Sequence, residues 1–273
     1  MMRANRRGLS LVELLIAVVL LGIVGAGITR MLQSQMRYFS RTNNAQEARA
    51  VTRNALNLMR AELRMVEPRG VVAASADSLT VRLPYATGLN CAASTGTFAA
   101  IDSLTRATAV FAGYAWKDTL SSAVYTYVAS GTAPVVGLSA SCTAAGLAVI
   151  PGGRQLILSA AIPTTVIGAP LLLYQTVTYS FATSTLVPGR RALWRRVTGG
   201  ATEEIAVPFD AATKFRFYTI GGTTAADAVP SPLTNMAGVE MVLVGASERS
   251  SPGTNAPETQ ATRVAIFFRN SVQ

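Results

Sequence analysis

The sequence predicts an α+β protein in which one long N-terminal helix packs on a mostly antiparallel β-sheet head. Three observations predict it. From Leu9 to Ile28 about twenty residues carry no charge except Glu13, the length a helix needs to cross a hydrocarbon core of roughly 30 Å. Beyond that run, apolar residues spaced three and four apart continue a helical pattern as far as Val66. From Val71 onward the period falls to two, and short apolar segments alternate with Gly, Pro and Asn turns.

The N-terminal run is preceded by Arg3, Arg6, Arg7 and Gly8. An ordinary secretory signal has an apolar core of roughly 7–15 residues with its small-residue cleavage site after it. Here the apolar run is longer and the small residue, Gly8, comes before it. A plain signal anchor would account for the arginines, which the positive-inside rule keeps in the cytoplasm, but it has no need of Glu13. A carboxylate a few residues into an apolar run costs roughly 2.5–3.5 kcal/mol on insertion scales, so such a charge usually has a partner.

The second half of the helix carries Met31, Gln35, Phe39, Ala45, Ala48, Val51, Ala55, Leu58 and Glu62 in register, with Leu56, Met59, Leu63 and Val66 widening the stripe. Arg41, Arg49, Arg53, Arg60 and Arg64 fall mostly on other faces. Glu67-Pro68-Arg69-Gly70 ends the pattern, because a proline disfavours helix in the residue before it and a glycine permits a turn. A helix from Leu9 to Val66 would be about 87 Å long at 1.5 Å per residue. No compact domain needs such a rod, so its first half must be buried in lipid or other subunits, and its second half suits packing on a sheet. An irregular, alanine-rich heptad pattern speaks against a coiled coil there.

In the head, Ser78–Leu83 alternates as a half-buried strand does, with Pro84 expected to close it. Residues from 85 to about 151 read as a loop-rich insertion with short strands at Ala109–Phe111 and Ala123–Val128. Further strands are expected at Gln155–Leu158, Pro170–Phe181, Ala192–Val197, Thr213–Tyr218, Gly238–Val244 and Thr262–Asn270. The expected organisation is therefore residues 1–8 as a leader, 9–67 as the long helix with 9–28 spanning the membrane, and 71–273 as the β-rich head.

Arg-Gly, an apolar residue, Glu at the fifth position after the glycine and a long apolar helix resemble the class III signal of type IV pilins and type II secretion pseudopilins. The resemblance implies that a prepilin peptidase cuts after Gly8 and methylates Leu9, and that Glu13 pairs with the N-terminal amine of a neighbouring pilin or pseudopilin subunit. It implies anchoring in the inner membrane by one pass, with the head outside the cytoplasm, and a filament or cell-surface position after assembly. The physics is consistent, since a buried carboxylate and a buried ammonium each cost several kcal/mol alone and offset one another when paired. Leu9 stands where the family most often has Phe. Gly22, Gly25 and Gly27 replace the proline that major pilins often carry near the end of this run, which slightly weakens a major-subunit reading, and a head larger than a simple pilin's favours a minor subunit. The order of the β segments, with Leu193-Trp194-Arg195-Arg196 as an arginine-rich hairpin return, resembles minor pilins of the PilW kind and J-type pseudopilins.

A non-enzymatic minor pilin that primes filament assembly or sits near the tip is the reading this supports, ahead of a secretion pseudopilin and of an anchored binding or adhesion domain that never polymerises. With the head outside the cytoplasm, the even cysteine count points to a Cys91–Cys142 disulfide, the alternative being two buried thiols. The formal charge of +10 includes three arginines that leave with the leader. DNA binding is the weaker reading of the remaining charge, because no basic stretch is interleaved with aromatics and only Lys117 and Lys214 are lysines.

The absence of histidine excludes His-dependent triads and His-Glu-x-x-His zinc sites, and a cysteine pair alone falls short of four metal ligands. There is no phosphate-binding Gly-Lys-Ser/Thr loop. Gly137–Ser141 lacks the second glycine of a nucleophile elbow, and the adjacent Glu203 and Glu204 would point to opposite faces of a strand. No catalytic residue, metal or cofactor is expected.

Overall fold

A computed structural model describes residues 11–67, 69–92, 95–98, 108–117, 124–130, 135–136, 154–158, 168–254 and 256–268. Helix α1, Leu11–Leu63, is 53 residues long, about 80 Å at 1.5 Å per residue. Its last hydrogen bonds tighten to Met65 N to Glu62 O and Val66 N to Leu63 O. The helix proper thus stops at Leu63, three residues before the apolar pattern does, and Val66 still reaches the core from this closing turn. Arg69 then takes a φ of 65° ahead of Gly70.

The spine of the head is an antiparallel pair of long strands, β2 (Ser78–Ala92) and β8 (Pro170–Thr183). On one edge of β2 lie β1 (Val71–Ser75) and, farther along, β3 (Thr95–Phe98). On the free edge of β8 lie β9 (Arg191–Val197) and, farther along, β4 (Gly113–Lys117), which in turn pairs β5 (Tyr125–Ala129). Beyond β3 come β7 (Arg154–Ile157) and β6 (Val135–Val136).

On the other side β9 pairs β10 (Thr202–Phe209), whose last residue crosses to β12 (Met236–Ser250) at Phe209 and Gly245. The chain continues as β11 (Lys214–Thr219) along β12, and β13 (Pro257–Phe267) covers the opposite edge of β12. Every pairing among the described strands is antiparallel, as the alternating segments and short turns predict.

Several expected limits differ from the structure: β10 is not among the expected strands, β12 runs to Ser250 rather than Val244, and β13 begins at Pro257 rather than Thr262. β2 runs through Pro84 to Ala92, because Pro84 sits opposite Tyr174 where the register shifts before Ala86. A bulge tolerates the missing amide that would break a regular ladder. Ala109–Phe111 is irregular, and the strand begins at Gly113, whose φ of 155° and contact with Val128 O and the Tyr174 ring leave no space for a side chain.

The main core lies where the second half of α1 crosses the sheet. Met59 and Leu63 are fully buried among Leu79, Val81, Val177, Tyr179, Leu193, Phe215, Val239 and Met241. Burying these two helix side chains contributes about 3–6 kcal/mol. A second core gathers Ala86, Tyr114, Leu156, Leu171 and Leu173, while Leu172 and Tyr174 project into a third with Ala115. β8 is thus amphipathic beside α1 and buried on both faces at its far end.

Candidate functional site: the N-terminal anchor and the seam that holds it

One helix serves two environments. From Leu11 to Val24 and at Ile28 the large apolar side chains are each more than half exposed, Leu11 by 81% and Leu21 by 78%. This helix alone among the described residues is long and apolar enough to cross a membrane, and none of its apolar window is buried in the protein. An exposed apolar surface of this extent marks a face meant for lipid or for other subunits. Glu13 lies in the first described turn, at the start of that run. Gly8 and Leu9 lie outside the described residues, as do Cys142 and the side chain of Cys91.

The second half is fastened to the head along one seam. Asn44, Ala48, Thr52, Ala55, Met59 and Leu63 are buried, with spacings of four, four, three, four and four that keep them on one face. Arg41, Arg49, Arg53, Arg60 and Arg64 are exposed, in line with the sequence pattern. Leu58, expected in the stripe, is instead partly exposed at 37%, and the polar Asn44 and Thr52 take core positions.

Polar contacts close the seam at both ends. At the lower end the Asn44 side-chain amide donates to Arg249 O and to Ser251 Oγ, each at 3.4 Å, and the Glu248 amide donates to Glu47 Oε1 at 3.1 Å. At the upper end Arg195 of β9 grips Glu62 with two hydrogen bonds, Nε to Oε2 at 3.1 Å and Nη2 to Oε1 at 2.9 Å. Both side chains are more than four-fifths buried, which makes this bidentate pair more than a surface contact. The closest approach is at Gly245, where a Cβ would overlap the Ala48 carbonyl and the Thr52 hydroxyl.

The sequence pattern singled out Arg195 and Glu62 separately, with no sign that they meet. Asn44, Glu47 and Gly245 were not singled out. An asparagine in a mid-helix stripe and a glycine inside an apolar strand are signals of a polar buried contact and a close backbone approach, and both were available.

A groove of about 410 Å³ lies beside the end of α1, lined by Met65, Glu67, Tyr85, Tyr125, Leu172 and Gln175 among others. Burial pushes the Tyr85 hydroxyl up to about 12 and raises Tyr114 and Tyr174. Burial, then the neighbouring Glu67 charge, raises Tyr127 as well. At neutral pH these phenols are protonated, suited to hydrogen bonding and not to nucleophilic attack. Among the described residues no group of three His, Cys, Asp or Glu side chains is placed to hold a metal ion.

Residues 3–29 match the family model described as the prokaryotic N-terminal methylation motif, the class III prepilin signal. Neither the comparison with curated proteins nor that with solved structures finds a match. This signal, together with a long apolar N-terminal helix and an antiparallel head packed on the helix's second half, supports a type IV pilin-like protein, pilin or pseudopilin. Proteins with this signal are structural subunits: a prepilin peptidase processes them, the helix anchors them in the inner membrane, and they assemble with other pilin subunits.

Proposed function

We propose that the protein is a minor pilin of a type IV pilus that primes filament assembly or sits near the tip, with no enzymatic activity of its own. The observation that carries this reading is the combination of an N-terminal helix with no cover over its first half and a head of thirteen described strands. Extracting the first helices of a filament from lipid is costly, and a preformed complex of such subunits lowers that barrier. In this reading residues 1–8 are the leader, residues 9–28 span the inner membrane, and residues 71–273 form a head outside the cytoplasm. Cleavage follows Gly8 and leaves a methylated Leu9, and Glu13 pairs with a neighbour's N-terminal amine, where each charge offsets the other's desolvation. Cys91 and Cys142 form a disulfide in the head.

The mass of the intact protein from membranes, with and without prepilin peptidase, tests this. The expected chain begins at methylated Leu9 only when the peptidase is present, and alkylation without reductant adds nothing to its two cysteines. An N-terminus that keeps Arg6-Arg7-Gly8 in the presence of active peptidase would remove the filament reading. Glu13→Ala is expected to leave cleavage intact while lowering incorporation into filaments; unchanged incorporation would sink the proposed pairing.

A further inference from the structure

The seam that binds the head does not end with the head. Asn44, its lowest contact, is continued downward by Arg41, Arg37 and Arg30, at steps of three, four and seven residues, so all four share one face of α1. The head's lowest hydrogen bonds to this face are those of Arg249 and Ser251 with Asn44. Below them Arg30, Arg37 and Arg41 are exposed and line one open recess together with Gln33, Ser34 and Tyr38. The ion pairs among the described residues involve none of the three. No carboxylate occurs between Glu13 and Glu47, and Glu47 already accepts the Glu248 amide. The neck is therefore a face of three positive charges, directed to the same side as the head.

Its position names the counter-charge. Arg30 follows Leu11 by nineteen residues, about 28 Å of helix, close to the roughly 30 Å hydrocarbon thickness. This puts Arg30 at the level of the lipid phosphates as soon as the apolar run spans the bilayer. Arg37 and Arg41 lie about 10 and 16 Å farther along the axis. Such helices tilt by about 20° on average and by up to about 40°, and charges attract an anionic surface across a Debye length of about 8 Å. A lean toward the arginine face brings all three guanidiniums into range, and because the head is on that face the head descends with them. Bidentate phosphate recognition suits arginine.

We propose that Arg30, Arg37 and Arg41 form a binding face for anionic phospholipid headgroups, which leans the membrane-anchored subunit onto its β12–β13 side before assembly. This rests on the membrane-anchored stage of the proposed function. Extraction into a filament breaks these contacts and frees the head to stand clear of the bilayer.

Neutron reflectivity on the full-length protein, reconstituted in supported bilayers of phosphatidylcholine alone or mixed with phosphatidylglycerol, reads both helix insertion and head height. The expected result is a head layer closer to the anionic bilayer by about a Debye length, roughly 8 Å, that retreats at high salt. The triple variant Arg30→Gln, Arg37→Gln, Arg41→Gln should keep one height on both bilayers. An inserted protein whose head height ignores lipid charge and salt would overturn the inference and leave the anchoring intact. So would a triple variant with wild-type head heights but poor filament incorporation, which would assign the arginines to carboxylates of a neighbouring subunit. A chain that inserts in neither bilayer removes the anchoring reading, and this one with it.

Discussion

Glu204 shows how one side chain sets a local structure that its sequence neighbourhood does not announce. Burial alone would push its carboxyl up, but the Ser184 and Thr185 hydroxyls and the Thr185 and Leu186 amides together hold it below the usual glutamate range. These bonds tie the turn after β8 to the start of β10. A carboxyl depressed in the folded state gives stability that is fully present above its unfolded value. That stability is lost as pH falls through the lower folded value. Because the carboxylate is largely exposed, solvent screening keeps the contribution small. Thermal melts of the wild type and Glu204→Gln are therefore expected to differ most at neutral pH and to converge as pH drops below about 4.5, the ordinary glutamate value. A constant difference across that window would show that the bonds to Glu204 do not depend on its charge. The adjacent Glu203 is exposed and lines a separate groove with Arg195 and Val197, and alternation along the strand keeps it away from the Ser184 turn.

Helix α1 is continuous, yet its halves obey different rules. The first half is held by its own backbone hydrogen bonds and needs lipid or other subunits to cover it, whereas the second half is held by the sheet. The crossing with β12 depends on Gly245, where the two backbones approach within the space of a missing side chain. Gly245→Val should force the helix off the sheet and cost about 1–3 kcal/mol, the usual penalty of overpacking. Chemical denaturation of the head read by tryptophan fluorescence measures it, and an unchanged midpoint would mean the crossing relaxes without loss. The helix itself was plain in the sequence because its period is local and spans many turns. Its docking face was legible in part: Ala48, Ala55, Met59 and Leu63 stood in the visible stripe, but Leu58 in that stripe is exposed, and Asn44 and Thr52 were hidden because a polar residue in a helix reads as solvent-facing unless its distant partner is known. β2 was read nine residues too short for the same reason, since only the opposed Tyr174 and the bulge beside it reveal that Pro84 interrupts no pairing.

At the scale of the whole molecule, the head and the anchor are separable in energy. The described core clusters draw no residue from before Val51, and the buried seam begins at Asn44. A chain beginning at residue 30, without the apolar run, is expected to fold with a melting temperature within a few degrees of the full-length protein in detergent and to remain monomeric. Calorimetry and sedimentation check this. A large loss of stability would mean that the first half of α1 supports the head. The sequence by itself determined the anchor, the processing signal and the class of the head: a run of apolar residues, a charge set into it and an alternating period are local facts that chemistry reads without knowing the fold. Only the tertiary structure decided the order of the strands, the Glu62–Arg195 clamp and the latch of Asn44 on Ser251, 207 residues away. The physical reason is that such pairings form between segments far apart in the chain, each compatible with several partners. The choice among them is made when the helix and sheet bury their apolar faces together, and no single segment records it.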